Sequence, residues 1–166
     1  EEEPTIWRGP MVMSALEQML RDVEWAPLDI LIVDMPPGTG DAQLTMAQGT
    51  ELAGAIIVST PQDIALLDAR KGLNMFRQVE VPIIGLIENM SYYICPKCGD
   101  EAHIFDNGGA KETAEKYGCT FLGEIPLDKE IRTTSDAGRP IVVSKTSSPH
   151  AKAYMNIAVK IIDEIK

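Results

Sequence analysis

The sequence of 166 residues has few aromatic side chains, 5% of the total, so aliphatic residues and methionine must supply its core. It lacks any apolar run approaching the roughly 18 residues that a transmembrane helix needs. Basic residues are outnumbered by acidic ones, 15 against 25, which gives a formal net charge of −10. This charge argues against nucleic acid or an anionic membrane as a general partner. A nucleotide is not excluded, because backbone N–H groups and a metal ion can hold phosphates locally.

Cysteine is scarce, and two kinds of N-terminal motif are missing. Three cysteines, two of them in a C-x-x-C motif, do not form the framework of a secreted disulfide-rich protein. We expect a reducing, cytoplasmic compartment. The initial Glu1-Glu2-Glu3 is the opposite of a signal or transit peptide. The sequence contains no lysine-bearing glycine-rich loop of the form G-x-x-x-x-G-K-[ST] or K-G-G-x-G-K.

Short apolar runs alternate with stretches of helical periodicity. Strands are predicted at residues 28–33, 55–58, 83–87 and 120–123, and an extended segment at residues 141–143. Helices are predicted at residues 11–23, 42–48, about 63–79, 110–117, 129–136 and about 149–165. The length fits one domain. We therefore expect a single α/β domain over residues 1–166, with a doubly wound, mostly parallel sheet flanked by helices.

Asp34 ends the first apolar run and is followed at once by Met35-Pro36-Pro37-Gly38-Thr39-Gly40-Asp41. Open α/β sheets bind ligands at the carboxyl ends of their strands, where Asp34 would lie. A carboxylate there can hold Mg²⁺ through water while the ion bridges nucleotide phosphates. Gly38 can bring its backbone N–H close to a phosphate, and Asp41 suits the N-cap of the following helix. A solvated loop is the alternative interpretation of these residues.

Asn89 follows another apolar run, that of residues 83–87, with Glu88 between them. A side-chain amide at the end of a buried strand offers both a donor and an acceptor to the edge of a nucleotide base. The alternative is an asparagine that caps a turn. The residues alone leave these two interpretations open.

The segment of residues 92–105 interrupts the strand–helix alternation and contains Cys95-Pro96-Lys97-Cys98-Gly99. A C-x-x-C motif lets two thiolates face one metal ion, with Gly99 freeing the backbone. Zinc or a [4Fe–4S] cluster takes four ligands, so the simplest complete site joins two copies of Cys95 and Cys98 across a two-fold axis. We therefore expect a homodimer. A redox-active C-x-x-C is not favoured, because no helix is predicted to begin there.

Two other side chains could supply ligands from the same chain. His103 lies in the same segment as the C-x-x-C motif, but it stands alone beside Ile104 and Phe105, which favours a structural role. Cys119 comes after a predicted helix and begins a predicted strand, so we interpret it as a core thiol.

The string from Asp34 to Asp41, DMPPGTGD, resembles the Walker B and switch II segment of deviant P-loop ATPases related to MinD and the nitrogenase iron protein. In its full form it is similar to the Mrp family of iron–sulfur cluster carriers. Three further stretches agree with that family: Trp7-Arg8-Gly9-Pro10-Met11, Ser59-Thr60-Pro61-Gln62-Asp63, and Glu88-Asn89-Met90-Ser91 followed by Cys95-Pro96-Lys97-Cys98. The resemblance covers nearly all of the chain.

The resemblance implies a MinD-like P-loop NTPase fold. It also implies an ATP-dependent carrier that binds a [4Fe–4S] cluster between two subunits and transfers it to apo iron–sulfur proteins. The family's fold begins with a strand and a glycine-rich loop that this sequence does not contain. We therefore expect an N-terminally truncated, carboxyl-terminal portion whose first residue is not the natural start. The full-length protein would be an ATPase, whereas this chain alone would bind ATP very weakly and not turn it over.

The resemblance also implies roles for individual residues. Asp34 would order Mg²⁺, and Asp41 would be a second catalytic carboxylate near the phosphates. The nucleotide would be bound by Gly38, Thr39, Asn89, Pro126 and Asp128, with Asn89 and the backbone of residues 126–128 on the adenine side. Cys95 and Cys98 would hold the labile cluster, and zinc could replace it in protein made under aerobic conditions.

Two other functions remain as alternatives. A MinD-like partitioning switch would need a basic amphipathic tail, whereas the last predicted helix is mixed in charge through Asp163 and Glu164. A zinc-stapled structural dimer without activity would need only the C-x-x-C motif and a second copy of the chain.

Overall fold

The computed structural model describes residues 9–36 and 38–166, and Asp41 through its backbone alone. The chain divides into two compact units, Glu1–Leu52 and Ala53–Lys166. The predicted single domain over residues 1–166 stays a prediction.

The first unit contains two helices, α1 (Gly9–Arg21) and α2 (Asp41–Gly49), which pack against each other. Both lie within two residues of their predicted bounds. The predicted N-cap is wrong by one position, because Gly40 takes the extended conformation of the cap and Asp41 is the first helical residue. Met46 on α2 is buried, at 3% exposure.

The second unit contains a parallel sheet and a small antiparallel hairpin. Its strands are β1 (Ala55–Ser59), β2 (Ile83–Asn89), β3 (Tyr93–Ile94), β4 (Glu101–Ala102) and β5 (Phe121–Ile125). Its helices are α3 (Asp63–Gln78), α4 (Gly109–Tyr117), α5 (Lys129–Asp136), α6 (Ile141–Ser144) and α7 (Pro149–Glu164). The order β1-β2-β5 is parallel throughout, and β3 pairs with β4. Because three parallel strands adjoin, their carboxyl ends lie at one edge of the sheet.

Two apolar clusters cover the parallel sheet. One combines sheet residues with α3 and α4 and consists of Ile57, Leu73, Leu86 and Ala114. The other combines sheet residues with α7 and consists of Ile84, Ile87, Leu122, Ile125 and Ile157. The predicted α/β architecture with helices flanking a parallel sheet is confirmed. None of the helices in the described ranges is long and apolar enough to cross a membrane.

The predicted strand at residues 28–33 does not form. These residues have no regular structure, and Leu28, Ile30 and Ile32 are 50%, 43% and 79% exposed. A parallel strand must pair its backbone groups with a neighbour, and no strand within residues 9–36 and 38–166 pairs with this segment. An apolar run predicts burial but does not provide the neighbour that a strand requires.

The predicted extended segment at residues 141–143 is wrong, since these residues form the short helix α6. Pro140 precedes the helix, and its carbonyl accepts from the backbone N–H of Ser144 at 3.0 Å. Ile141 is buried at 3% exposure, and α6 packs against α7. Tertiary contact therefore overrides the strand preference of these β-branched residues.

Gly85 in β2 provides a test of the sheet packing. A Cβ on Gly85 would lie 2.5 Å from the Thr120 carbonyl oxygen and 2.7 Å from Leu122 Cγ, so Gly85→Ala should lower the free energy of unfolding by about 1–3 kcal/mol. The control is Gly72→Ala in α3, where a Cβ would meet nothing within 4 Å. That substitution should raise stability by roughly 0.5–1 kcal/mol. Urea unfolding measures both, and equal effects would contradict the packing described.

Candidate functional site

In the first unit, the predicted phosphate-side residues lie on the loop before α2. Asp34 is exposed, and so are Gly38 and Thr39. Gly38 has φ +99°, a conformation that favours glycine, and a Cβ there would meet no atom within 4 Å. The backbone at Gly38 is therefore open to a ligand. Pro37 and the side chain of Asp41 lie outside the described parts, so the role predicted for that carboxylate remains a prediction.

Gln43 holds this loop to α2, a role that the sequence analysis did not predict. Its side chain is buried at 3% exposure, and its Nε2 donates to the Pro36 carbonyl at 2.6 Å. The bond fixes the position of the loop at Pro36. The only sequence signal was a polar residue in the first turn of a predicted helix.

In the second unit, the predicted adenine-side residues come together at the carboxyl ends of β2 and β5. Asn89 is paired in register with Ile125. The backbone N–H of Ser91 donates to the Ile125 carbonyl at 3.1 Å, and that of Leu127 donates to the Tyr92 carbonyl at 2.7 Å. Asn89 therefore lies beside the segment of residues 126–128.

The side chains of Asn89 and Asp128 are both used in local structure. Asn89 Oδ1 accepts from the backbone N–H of Met90 at 3.0 Å, which is the turn-capping alternative. Asp128 Oδ1 accepts from the backbone N–H of Glu130 at 2.6 Å and thereby caps α5. Its Oδ2 lies 3.5 Å from His150 Nε2. Pro126, between Ile125 and Leu127, is buried, and the predicted contact of this segment with the adenine stays a prediction.

Glu88 is the organising side chain of this edge, and sequence reasoning missed its role. It is fully buried at 0% exposure. Its Oε1 accepts from Ser91 Oγ at 2.6 Å and from the Gly108 N–H at 2.9 Å, and its Oε2 accepts from the Ala110 N–H at 2.8 Å. One carboxylate thus joins the end of β2, the following turn and the first turn of α4. The favourable dipole of a helix N-terminus adds to these bonds.

The C-x-x-C motif forms the turn of the β3–β4 hairpin. The backbone N–H of Cys95 donates to the Asp100 carbonyl at 2.8 Å, and that of Gly99 donates to the Cys95 carbonyl at 2.8 Å. Gly99 has φ +75°, as expected for a glycine that frees the backbone of a metal knuckle. Cys98 is exposed and Cys95 is half-buried, and both are free thiols. We call residues 93–102 the knuckle hairpin.

The environment of Cys95 favours its thiolate, the form that binds metals. Hydrogen bonding from the backbone N–H of Cys98, then from that of Lys97 and from the Cys98 side chain, lowers the pKa of the Cys95 thiol. A lowered pKa raises the thiolate fraction near neutral pH. The turn is therefore chemically suited to a soft metal ion or an iron–sulfur cluster.

The two other candidate ligands are engaged elsewhere. His103 Nδ1 lies 3.1 Å from the Ser91 carbonyl oxygen, and its Nε2 lies 3.3 Å from Asn107 Nδ2, as the structural interpretation requires. Cys119 is half-buried and packs on the sheet cluster beneath α4. Within the described ranges, no group of three or more His, Cys, Asp or Glu side chains could hold a metal. Among the described residues, Cys95 and Cys98 thus have no third candidate ligand grouped with them, and their metal-binding role stays a prediction.

Comparison with known proteins decides the family. A sequence model of the ParA family described as "NUBPL iron-transfer P-loop NTPase" matches residues 1–162. The chain belongs to this family. The expected relationship to cluster carriers of the P-loop NTPase class is thereby confirmed.

The relatives are longer than this chain. The iron–sulfur cluster transfer protein NUBPL of Dictyostelium discoideum is 57% identical over 166 residues, which is all of this chain and 51% of that protein. The iron–sulfur cluster carrier protein of Pyrococcus horikoshii is 50% identical over the same length, which is 56% of that protein. This chain therefore spans about half the length of these relatives.

Solved structures agree on the fold. A nucleotide-binding protein of Archaeoglobus fulgidus, solved in complex with ADP and with cobalt found in it, gives a TM-score of 0.71 at 39% identity. The match covers 84% of this chain and 56% of that one. The cell-division ATPase MinD of Pyrococcus furiosus gives a TM-score of 0.66 at 22% identity, covering 92% of this chain and 57% of that one, which shows a shared fold alone.

The contribution of the buried Glu88 carboxylate to stability can be tested by a substitution that removes its charge. In Glu88→Gln one acceptor oxygen becomes an NH₂ group that faces a donor, so unfolding free energy should fall by about 1–3 kcal/mol. Glu115→Gln on the exposed side of α4 is the matched control and should change stability by less than about 0.5 kcal/mol. Thermal and urea unfolding of both variants give the comparison. Equal stability of the two variants would mean that Glu88 does not join these elements.

Proposed function

We propose that this protein is an ATP-dependent iron–sulfur cluster carrier whose cargo is a [4Fe–4S] cluster for apo iron–sulfur proteins. The observation that carries the proposal is the knuckle hairpin, which presents two thiols, at least one of them exposed, and no third ligand is grouped with them in the part of the chain that the structure describes. An exposed, half-complete site suits a cluster that must be released. The names of the relatives from D. discoideum and P. horikoshii, a cluster transfer protein and a cluster carrier protein, support an iron–sulfur cluster as the cargo.

A second copy of the chain would complete the site. A cubane cluster takes four thiolates, and one chain offers Cys95 and Cys98. An isologous dimer brings the same two residues from each subunit, which gives four equivalent ligands on the symmetry axis. Since His103 and Cys119 are held by other contacts, the dimer is the least costly solution. The subunits would then separate when the cluster leaves.

The nucleotide would be held by two sets of residues. Asp34 would order Mg²⁺, with Gly38 and Thr39 on the phosphate side and Asp41 as the second carboxylate. Asn89 and residues 126–128 would hold the adenine side. No described cluster of carboxylates could hold a metal by itself, so a single Asp34 fits an Mg²⁺ that keeps several waters and phosphate ligands. The ADP complex of the A. fulgidus protein supports a nucleotide in this fold.

In this proposal both units belong to one nucleotide-hydrolase domain, with the knuckle as an insertion at about residues 92–105. Hydrolysis would require the P-loop of the full-length protein, so this chain alone would be inactive. The cytoplasmic location stays a prediction, and the name of an Arabidopsis thaliana relative places that protein in the mitochondrion. The partitioning switch gains no support from α7, whose end carries a Lys166–Asp163 ion pair.

The cargo proposal makes cluster binding and dimerisation one event. Anaerobic reconstitution of the full-length protein with iron and sulfide should give about one [4Fe–4S] cluster per two chains and double the mass. Cys95→Ala or Cys98→Ala should abolish both effects, because two ligands of the shared site are then lost per dimer. Iron analysis and light scattering measure the two quantities on one sample.

The matched control is Cys119→Ala, which should spare both cluster and dimer. A protein that carries a full cluster as a monomer would contradict the symmetric site. A stable zinc-bound dimer that does not form a cluster with iron and sulfide would instead support the alternative of a zinc-stapled structural dimer.

Asp34→Asn tests the magnesium role in the full-length protein. The substitution keeps the volume but removes one charge near the metal, so ATP hydrolysis should fall by about 10- to 100-fold. Asp29→Asn, a change of the same charge on an exposed residue of the same segment, should leave the rate unchanged. Steady-state ATPase assays measure both. Unchanged turnover in Asp34→Asn would remove this residue from the site.

A further inference from the structure

We propose that His103 is a positioning residue that links the knuckle hairpin to the carboxyl ends of β2 and β5. Through this link, metal bound at Cys95 and Cys98 would restrain the backbone at the carboxyl ends of β2 and β5, where the proposed adenine-side residues lie. The inference rests on the proposed function for its purpose, but its evidence is a set of hydrogen bonds within the second unit.

The partners of His103 determine its tautomer. A carbonyl oxygen can only accept, so the contact of 3.1 Å between Nδ1 and the Ser91 carbonyl requires a proton on Nδ1. Nε2 is then the acceptor, and Asn107 Nδ2 donates to it at 3.3 Å. Glu101 Oε1 lies 3.5 Å from the same Nε2 and could pair with it only in a protonated ring. His103 thus joins the residue after β4 to the turn after β2.

Ser91 carries this contact to both strands. Its carbonyl accepts from His103, its hydroxyl donates to Glu88 at 2.6 Å, and its backbone N–H donates to the Ile125 carbonyl at 3.1 Å. Ser91 is buried at 1% exposure. A displacement of the histidine would therefore reach the ends of β2 and β5 through one buried residue.

A second bond ties the other strand of the hairpin. Tyr92, just before β3, accepts from the Leu127 N–H at 2.7 Å. Leu127 lies in the segment of residues 126–128, for which a role at the adenine is proposed. The hairpin is thus attached on both sides to the carboxyl ends of β2 and β5. One attachment is the backbone bond between Tyr92 and Leu127, and the other is the side-chain bond from His103 to Ser91. Only the bond from His103 can be removed by a side-chain substitution that leaves the backbone hydrogen bonds in place.

Coupling of this kind must act in both directions, since linkage between two binding sites is reciprocal. Metal that orders the knuckle would restrain Ser91 and Leu127, and a nucleotide that contacts residues 126–128 would restrain the knuckle. The physical element is a pair of hydrogen bonds, of which His103 supplies one.

Hydrogen exchange tests the link in the full-length protein, with Zn²⁺ as the probe at the knuckle. Zinc should slow exchange of the Ser91 and Leu127 amides, and His103→Leu should reduce that slowing by about 2- to 10-fold, the range for loss of one hydrogen bond. His103→Asn can place its Nδ2 where Nδ1 lies and should retain the effect. Zinc affinity should stay within about twofold in both variants, because His103 is not a ligand.

Cys98→Ala is the control, because it should bind no zinc and show no change at either amide. The link is refuted if zinc binds and slows exchange of the Ser91 and Leu127 amides in His103→Leu as much as in the wild-type protein. It is also refuted if zinc slows this exchange equally in His103→Leu and His103→Asn. In both cases the cargo proposal stands. If the wild-type knuckle binds no metal at all, the proposed function and the link both fail. If His103 has only a structural role, His103→Leu should change the exchange rates of these amides by the same factor with and without zinc.

Discussion

The second unit depends on the burial of one carboxylate at the end of its central strand. Glu88 is wholly removed from water, which would cost several kcal/mol if its oxygens were left unpaired. Three donors prevent this: the Ser91 hydroxyl and the backbone N–H groups of Gly108 and Ala110. The carboxylate therefore requires the turn after β2 and the start of α4 to hold their positions together.

This constraint positions the two candidate sites of the second unit, the knuckle hairpin and the segment of residues 126–128, beside the same turn after β2. The turn that Glu88 fixes follows Asn89, the last residue of β2, and leads into the knuckle hairpin. Its Ser91 is also bonded to β5, after which the segment of residues 126–128 follows. The proposed cluster site and the proposed adenine side of a nucleotide site are therefore separated by only a few hydrogen bonds. This arrangement would give a simple physical basis for coupling the two proposed sites.

Sequence reasoning succeeded where local chemistry decides the structure. The apolar runs of β1 and β2 predict buried strands, and the C-x-x-C motif followed by Gly99 predicts the turn that forms. It failed where distant partners decide. Glu88 gave no signal, because its donors at residues 108 and 110 lie some twenty positions later and are backbone groups. Residues 28–33 read as a strand although no described strand pairs with them, and Ile141 entered a helix through its contact with α7.

Glu88 holds the end of β2 to the start of α4, and hydrogen exchange of two backbone amides tests this connection most directly. The amides of Gly108 and Ala110 should exchange as slowly as that of Leu86, which donates to the Thr120 carbonyl inside the sheet at 2.9 Å. The neighbouring Asn107 amide, which donates to the exposed Asp106 carboxylate, supplies the fast reference. Exchange of Gly108 and Ala110 at the rate of Asn107 would contradict the account.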